Sequence, residues 1–151
     1  MIFGDVGQHL VMEQTVLGGP VADAMVTGPK THRADSTQAD IRALFRDDHV
    51  HMALVVATDG RLVTTIERSD LAAAQARSTP VTDLGTLAGR TVGPSHSVAA
   101  ATSALLREGR RRLAVVDPAG RLLGLLCLKR DGTGYCSEDG VRARASQLQR
   151  R

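Results

Sequence analysis

"VVATDGRLVTTIERSDL", residues 55–71, comes back sixty residues later as "VVDPAGRLLGLLCLKRD", residues 115–131. Val55-Val56 falls on Val115-Val116, and Gly60-Arg61-Leu62 falls on Gly120-Arg121-Leu122. The same offset puts Val21 on Val81, Asp23 on Asp83, Thr31 on Thr91 and Ala39 on Ala99, with no gap needed between Val21 and Glu67. Self-similarity at a fixed period is the signature of a repeated structural unit. The two copies part company only after the second strand.

Each copy reads as the same series of elements. A short strand comes first, at 30–33 and 90–93. A helix follows, with Ser36 in one copy and Ser95 or Ser97 in the other as N-caps. Ile41, Leu44 and Phe45 lie at helical spacing in the first copy, and Val98, Ala101, Leu105 and Leu106 in the second. Next come a buried strand (52–57, 113–116), a hairpin turn at Asp59-Gly60 or Pro118-Ala119-Gly120, and a return strand (62–66, 122–126). In the first copy Ser69 or Asp70 opens an Ala-rich helix over 71–77. One β-α-β-β-α unit of about fifty residues is too small to bury its apolar face alone, and two packed together can do so. The expected architecture is therefore a mixed α/β (α+β) fold of tandem units about a pseudo-two-fold axis. The expected divisions are 21–79 and 80–151, with residues 1–20 as an N-terminal extension.

Composition narrows the function classes. The chain has 151 residues, 42% apolar, and a net charge of +3. Its aromatic residues are Phe3, Phe45 and Tyr135, with no Trp, so stacking platforms for single-stranded nucleic acid are lacking and nucleic-acid binding is not expected. No apolar run approaches the ~18 residues of a membrane span. The N-terminus lacks a basic region and meets Asp5 early, so a secretory signal is not expected and the default location is the cytoplasm. Two cysteines, Cys127 and Cys136, make no secreted disulfide framework and no C-x-x-C pair. Nucleophile-elbow, P-loop, zincin and dinucleotide-binding motifs are all missing, so an enzyme is not expected and no catalytic residue is assigned. His49 and His51 share one face of a strand entrance, but two imidazoles without a third ligand nearby are a weak metal signal, and no metal is expected.

The order of elements, their spacing and the duplication resemble a CBS-domain pair, also called a Bateman module. The likeness is carried by "VADAMVTGPKTHRADSTQADIRALFRDDHVHMALVVATDGRLVTTIERSDL", residues 21–71, and repeats from Val81. It implies a small regulatory module that binds an adenosine-containing ligand (AMP, ATP or S-adenosylmethionine) in clefts between the repeats. It also implies a homodimer that signals through its geometry or through a protein partner. The alternative is a ligand-free interaction module whose clefts have decayed.

The resemblance also nominates residues. Backbone groups at Thr27, Gly28, Lys30 and Thr31 would meet the adenine edge, with Gly89, Arg90 and Thr91 as second-copy counterparts, the competing reading of Gly28-Pro29 being a plain turn. Asp70 would bind ribose hydroxyls, its competing role being to cap a helix. Glu67 stands where the family has Thr or Ser, and a carboxylate there repels phosphate. A polyphosphate is disfavoured unless basic residues intervene, so adenosine-like or cationic adenosyl ligands fit better. His51 and Met52 at the strand entrance, with Arg111 and Arg112 opposite them in the repeat, complete the set. The run Arg110-Arg111-Arg112 is suited to clamping a phosphate or an acidic partner, its competing role being that of a solvated strand entrance. In the second copy the sixty-residue register puts Cys127 and Arg130 at the Glu67 and Asp70 positions. The pattern resumes in "GYCSEDGV", residues 134–141, with Ser137 at the Thr/Ser position, Gly140 at the Asp position and Asp139 one residue early. The intervening excursion reads as an extra hairpin with a type I′ turn at Asp131-Gly132 and a final helix at about 141–149. It puts Cys127 opposite Cys136 in a non-hydrogen-bonded pair with neighbouring sulfurs, as two reduced thiols or as a redox-sensitive disulfide.

Overall fold

The computed structural model describes residues 18–132 and 134–136. The first repeat forms a sheet from β1 (His32–Arg33), β2 (Ala53–Val56) and β3 (Leu62–Ile66). Helix α1 (Gln38–Leu44) makes the crossover that a parallel β1/β2 pair requires, and α2 (Arg68–Ala73) follows β3. The second repeat builds the same sheet from β4 (Thr91–Val92), β5 (Arg112–Val116) and β6 (Leu122–Cys127), with α3 (Val98–Arg107) as its crossover.

The duplication is conserved in register. Ala53 pairs with Ile66 and Leu113 with Leu126; Leu54 pairs with Thr65 and Ala114 with Leu125. Even the bulge recurs, between Val55 and Val56 in one sheet and between Val115 and Val116 in the other. The two hairpin turns then meet across the pseudo-axis: Leu62 N donates to Gly120 O at 2.9 Å and Leu122 N to Gly60 O at 3.0 Å. Around this axis Met52, Leu54, Leu62 and Ala114 pack as a shared central core.

Each repeat also lends its lead-in segment to the other. Val21, on a 3-10 turn at Val21–Asp23, is buried with Val98, Leu105, Leu113, Val115 and Leu126 of the second repeat. Val81 and Leu84 are buried with Ile41, Phe45, Val55, Ile66 and Leu71 of the first. Backbone bridges seal the exchange, Val26 to Leu125 on one side and Thr65 to Thr86 on the other. These bridges are again sixty residues apart. Side-chain volume is traded across them. A Cβ on Gly124 would lie 2.5 Å from Val26 O, the space above it being filled by Met25. On the other side the strand residue is Thr64, whose hydroxyl donates to Leu84 O at 2.9 Å, and the lead-in residue is Gly85, at φ +72.

Several local expectations change. Thr37, not Ser36, caps α1, because Ser36 N is turned back to Arg33 O, while Thr37 and Asp40 exchange side-chain and backbone bonds. Ser97 is the cap of α3. Leu106 is 60% exposed; the buried face of α3 is Val98, Ala101, Thr102 and Leu105. Helix α2 starts at Arg68 and ends at Ala73, short of 77, with Glu67 at its N-cap and the Asp70 carboxylate accepting from Glu67 N at 2.7 Å. The Asp131-Gly132 turn is not type I′, which needs positive φ at both residues: Asp131 lacks it, and Gly132, at φ 74, donates its N–H to Lys129 O. Among the described residues the excursion pairs in the expected register, Leu128 opposite Tyr135, but as one isolated bridge and not as a pair of strands. Cys136 N donates to Cys127 O at 2.7 Å, so these two positions form a hydrogen-bonded rather than a non-hydrogen-bonded pair, and no disulfide joins them. Tyr135 returns to α3, its hydroxyl sharing a hydrogen bond with Thr102. Ser137, Asp139 and the expected last helix lie outside the described residues. Among the described residues no helix is long and apolar enough to cross a membrane.

Candidate functional site

Antiparallel pairing puts the start of β2 and β5 at the same end of the sheets as the end of β3 and β6. The sequence loads that end with charge: His51 and Arg111-Arg112 at the starts, and Glu67 to Asp70 and Lys129-Arg130 at the ends. Two cavities open there. The first, about 260 Å³, is lined by His51, Glu67, Arg68, Ser69 and residues 109–112. The second, about 300 Å³, is lined by Asp48, His49, His51, Arg111, Arg112, Leu128, Lys129, Arg130 and Cys136. His51, Arg111 and Arg112 belong to both and form their common wall.

His51 and Arg111 are repeat equivalents and meet across the pseudo-axis, Arg111 Nη2 lying 3.1 Å from His51 Nε2. A guanidinium can only donate, so Nε2 accepts and the imidazole is neutral in this contact. Burial, then the charges of Arg112, Arg111, Arg68 and Arg130, push its pKa down to about 4.

The acidic side of the first cavity is already neutralised. Arg90, 5% exposed, reaches from the second repeat's lead-in segment to Asp70 Oδ2 at 2.7 Å and Oδ1 at 3.2 Å. Its Nη2 also lies 3.2 Å from Glu67 Oε1, and its Nη1 donates to Thr65 O. Arg110 grips the other oxygen of Glu67 at 2.6 Å. Burial by itself would raise the Asp70 carboxyl. The hydrogen bonds from Arg90 and Glu67 N, with the charges of Arg90 and Arg110, outweigh burial and hold it below its ordinary value. The Arg90 Nε has no hydrogen-bond partner among the described residues.

The structure thus brings together His51, Glu67, Arg111 and Arg112 in one cavity, and ties Asp70 and Arg90 to its edge. Met52 lies beneath, in the central core. Thr27, Gly28, Lys30 and Thr31 are exposed and line neither cavity; Gly89 is an exposed turn residue at φ +73, and Thr91 pairs with Ala114 on β4. Sequence reasoning missed Arg68, Lys129 and Arg130. Arg68 stacks over Phe45, 5.3 Å from the ring centroid, and donates to Asp47 O and Val50 O, bracing the loop that delivers His51. Its position beside Glu67 at the end of β3 was the available signal. No group of three or more His, Cys, Asp or Glu among the described residues is arranged to hold a metal.

The profile of the CBS domain family matches residues 78–130. Both repeats together have the fold of a CBS-domain pair. It is 36% identical over 106 residues to inosine-5'-monophosphate dehydrogenase of Mycobacterium tuberculosis, covering 70% of this chain and 20% of that enzyme. The chain therefore spans about a fifth of the length of that relative. Among solved structures, CBSX2 in complex with AMP superimposes with a TM-score of 0.62 at 22% identity, over 89% of this chain and 100% of that one. An acetoin utilization protein, AcuB, from Vibrio cholerae gives 0.62 at 21% identity, over 87% and 95%. At these identities the structural likeness speaks for the fold.

Proposed function

We propose that this CBS pair is a regulatory module whose ligand is an adenosine phosphate, held with its phosphate groups against the His51–Arg111–Arg112 wall. The observation that carries this reading is the charge balance of the double cavity. Arg68, Arg110, Arg111, Arg112, Lys129 and Arg130 line it, against Glu67 and Asp48. Glu67 is paired twice over, with Arg90 and with Arg110. These are basic residues of the kind that would make a polyphosphate acceptable beside Glu67, and they favour an adenosine phosphate over an uncharged or cationic adenosyl ligand. Convergent guanidinium groups in a concave, partly desolvated site are suited to phosphate oxygens. The AMP complex of CBSX2, which shares this fold, supports the same ligand class. Ligand binding would act on dimer geometry or on a partner by favouring one of two states.

One observation favours a second reading, a ligand-free interaction module. Both oxygens of Asp70 are taken by Arg90, so the expected ribose acceptor is engaged inside the protein. Thermal unfolding in the presence of AMP, ADP, ATP, S-adenosylmethionine and NAD decides between them. A ligand present at ~100 times its Kd adds about 2.7 kcal/mol, a midpoint rise of several degrees for a chain of this size. The adenosine phosphates are expected to raise the midpoint, and a flat response across the panel overturns the ligand reading.

A further inference from the structure

The His51–Arg111 contact puts an imidazole lone pair in the groove in competition with any anion that draws on the same guanidinium N–H. His51 Nε2 accepts from Arg111 at 3.1 Å. A phosphate oxygen entering the common wall competes for that guanidinium. Once Arg111 turns to the phosphate, Nε2 loses its donor and faces an acceptor, and the bare Nε2 lone pair against an oxyanion is repulsive, so the ring either moves its one proton from Nδ1 to Nε2 or takes up a second. The same ring carrying a second proton donates to the oxyanion and adds a favourable charge pair.

We propose, on the reading that this groove binds phosphate, that anion binding is coupled to protonation of His51. Burial and then the surrounding cations suppress the imidazolium in this groove, and a bound anion offsets the part that the cations contribute. The groups facing the ring come from every surrounding element. Arg111 and Arg112 face it from the start of β5, Arg68 from α2, and Arg130 from the turn after β6. Around the shared cavities stand Lys129, Arg110 and the Cys136 thiol, with Glu67 and Asp48 as the acids and His49 as the neighbouring imidazole. Glu67 is satisfied by two arginines, which leaves the incoming anion as the natural partner for a new positive charge. The consequence is a module that senses acidity together with its ligand: binding tightens as pH falls, by at most about tenfold per pH unit, over the range between the ligand-free and ligand-bound pKa values.

The test is calorimetric titration of AMP into the wild-type chain and into His51→Gln, which keeps an acceptor for Arg111 but does not titrate. Each titration is run at pH 5.5 and 7.5 in buffers of different ionisation enthalpy. The phosphate's own titration near pH 6 is common to both proteins and cancels in the difference. The wild type is expected to take up more protons on binding than His51→Gln, and its affinity to gain at least about threefold more between pH 7.5 and 5.5. NMR titration of the wild-type His51 ring, with and without AMP, gives an independent readout; its pKa is expected to rise on binding. Binding by both proteins with equal proton uptake and an unmoved His51 pKa overturns the coupling and leaves the groove reading intact. Absence of AMP binding at either pH overturns the groove reading and the coupling with it.

Discussion

The first repeat ends β3 in Glu67-Arg68-Ser69-Asp70; the second ends β6 in Cys127-Leu128-Lys129-Arg130. The backbones of the two sheets agree pair by pair, down to the bulge, yet the chemistry at their ends is opposite. On the acidic side, the second repeat supplies the countercharges, Arg90 and Arg110. On the basic side, the repeat equivalent of Arg90 is Lys30, which is exposed. Duplication preserves registers because they are set by main-chain pairing and alternate burial. Side chains at the sheet ends touch solvent and are free to diverge. Here the divergence yields one groove in which Glu67 is paired by Arg90 and Arg110, while Arg111, Arg112, Lys129 and Arg130 line the walls.

The sharpest way to break the correspondence is at the exchanged lead-in segments. Gly85→Ala places a Cβ 1.9 Å from Thr65 O at a backbone with φ +72, so both sterics and conformation oppose it. Its expected cost is about 4 kcal/mol, in the range of severe single substitutions. Denaturant unfolding checks this, and a loss below about 1 kcal/mol would show that the exchange across Thr65 and Thr86 is not a fixed part of the fold. The second effect in size is at the acidic sheet end. Arg90→Ala leaves two partly buried carboxylates short of their countercharge, a loss of about 3 kcal/mol. Its pH signature has a definite sign. The Asp70 pKa is depressed in the folded state, so its contribution is present above the ordinary carboxylate value and lost as pH falls through the folded one. Arg90→Ala removes that contribution, and the stability difference between the two proteins is expected to shrink below about pH 4. The smallest effect belongs to the second repeat's excursion. Tyr135→Phe deletes the hydroxyl bonded to Thr102 and leaves that buried group with its bond to Val98 O, at a cost of about 1 kcal/mol in the same unfolding assay.

The duplication was legible because Val55-Val56, Gly60 and Leu62 recur with the spacing that a hairpin demands. The exchange of lead-in segments was not. Val21 and Val81 are equivalent apolar residues, and packing into either core satisfies the same pattern. The Arg90–Asp70 pair was hidden for a related reason: the two residues lie in different repeats, and no local periodicity links them. Capping was half visible. Ser97 was one of two choices, whereas Ser36 lost to its neighbour Thr37 because Asp40 stands three residues after Thr37. The cationic wall was partly visible as Arg110-Arg111-Arg112. Its completion by Arg68, Lys129 and Arg130 depends on antiparallel pairing, which puts the ends of β3 and β6 beside the starts of β2 and β5.

The central claim is that the shared wall of the two cavities is a phosphate-binding surface. The most direct measurement is titration of ATP into the wild-type chain and into Arg111→Ala/Arg112→Ala, with folding of both confirmed by circular dichroism. Saturable binding to the wild type, weakened at least about tenfold by the double substitution, a loss of about 1.4 kcal/mol or more, is the predicted result. Equal affinity in the two folded proteins, or no binding to either, would contradict it.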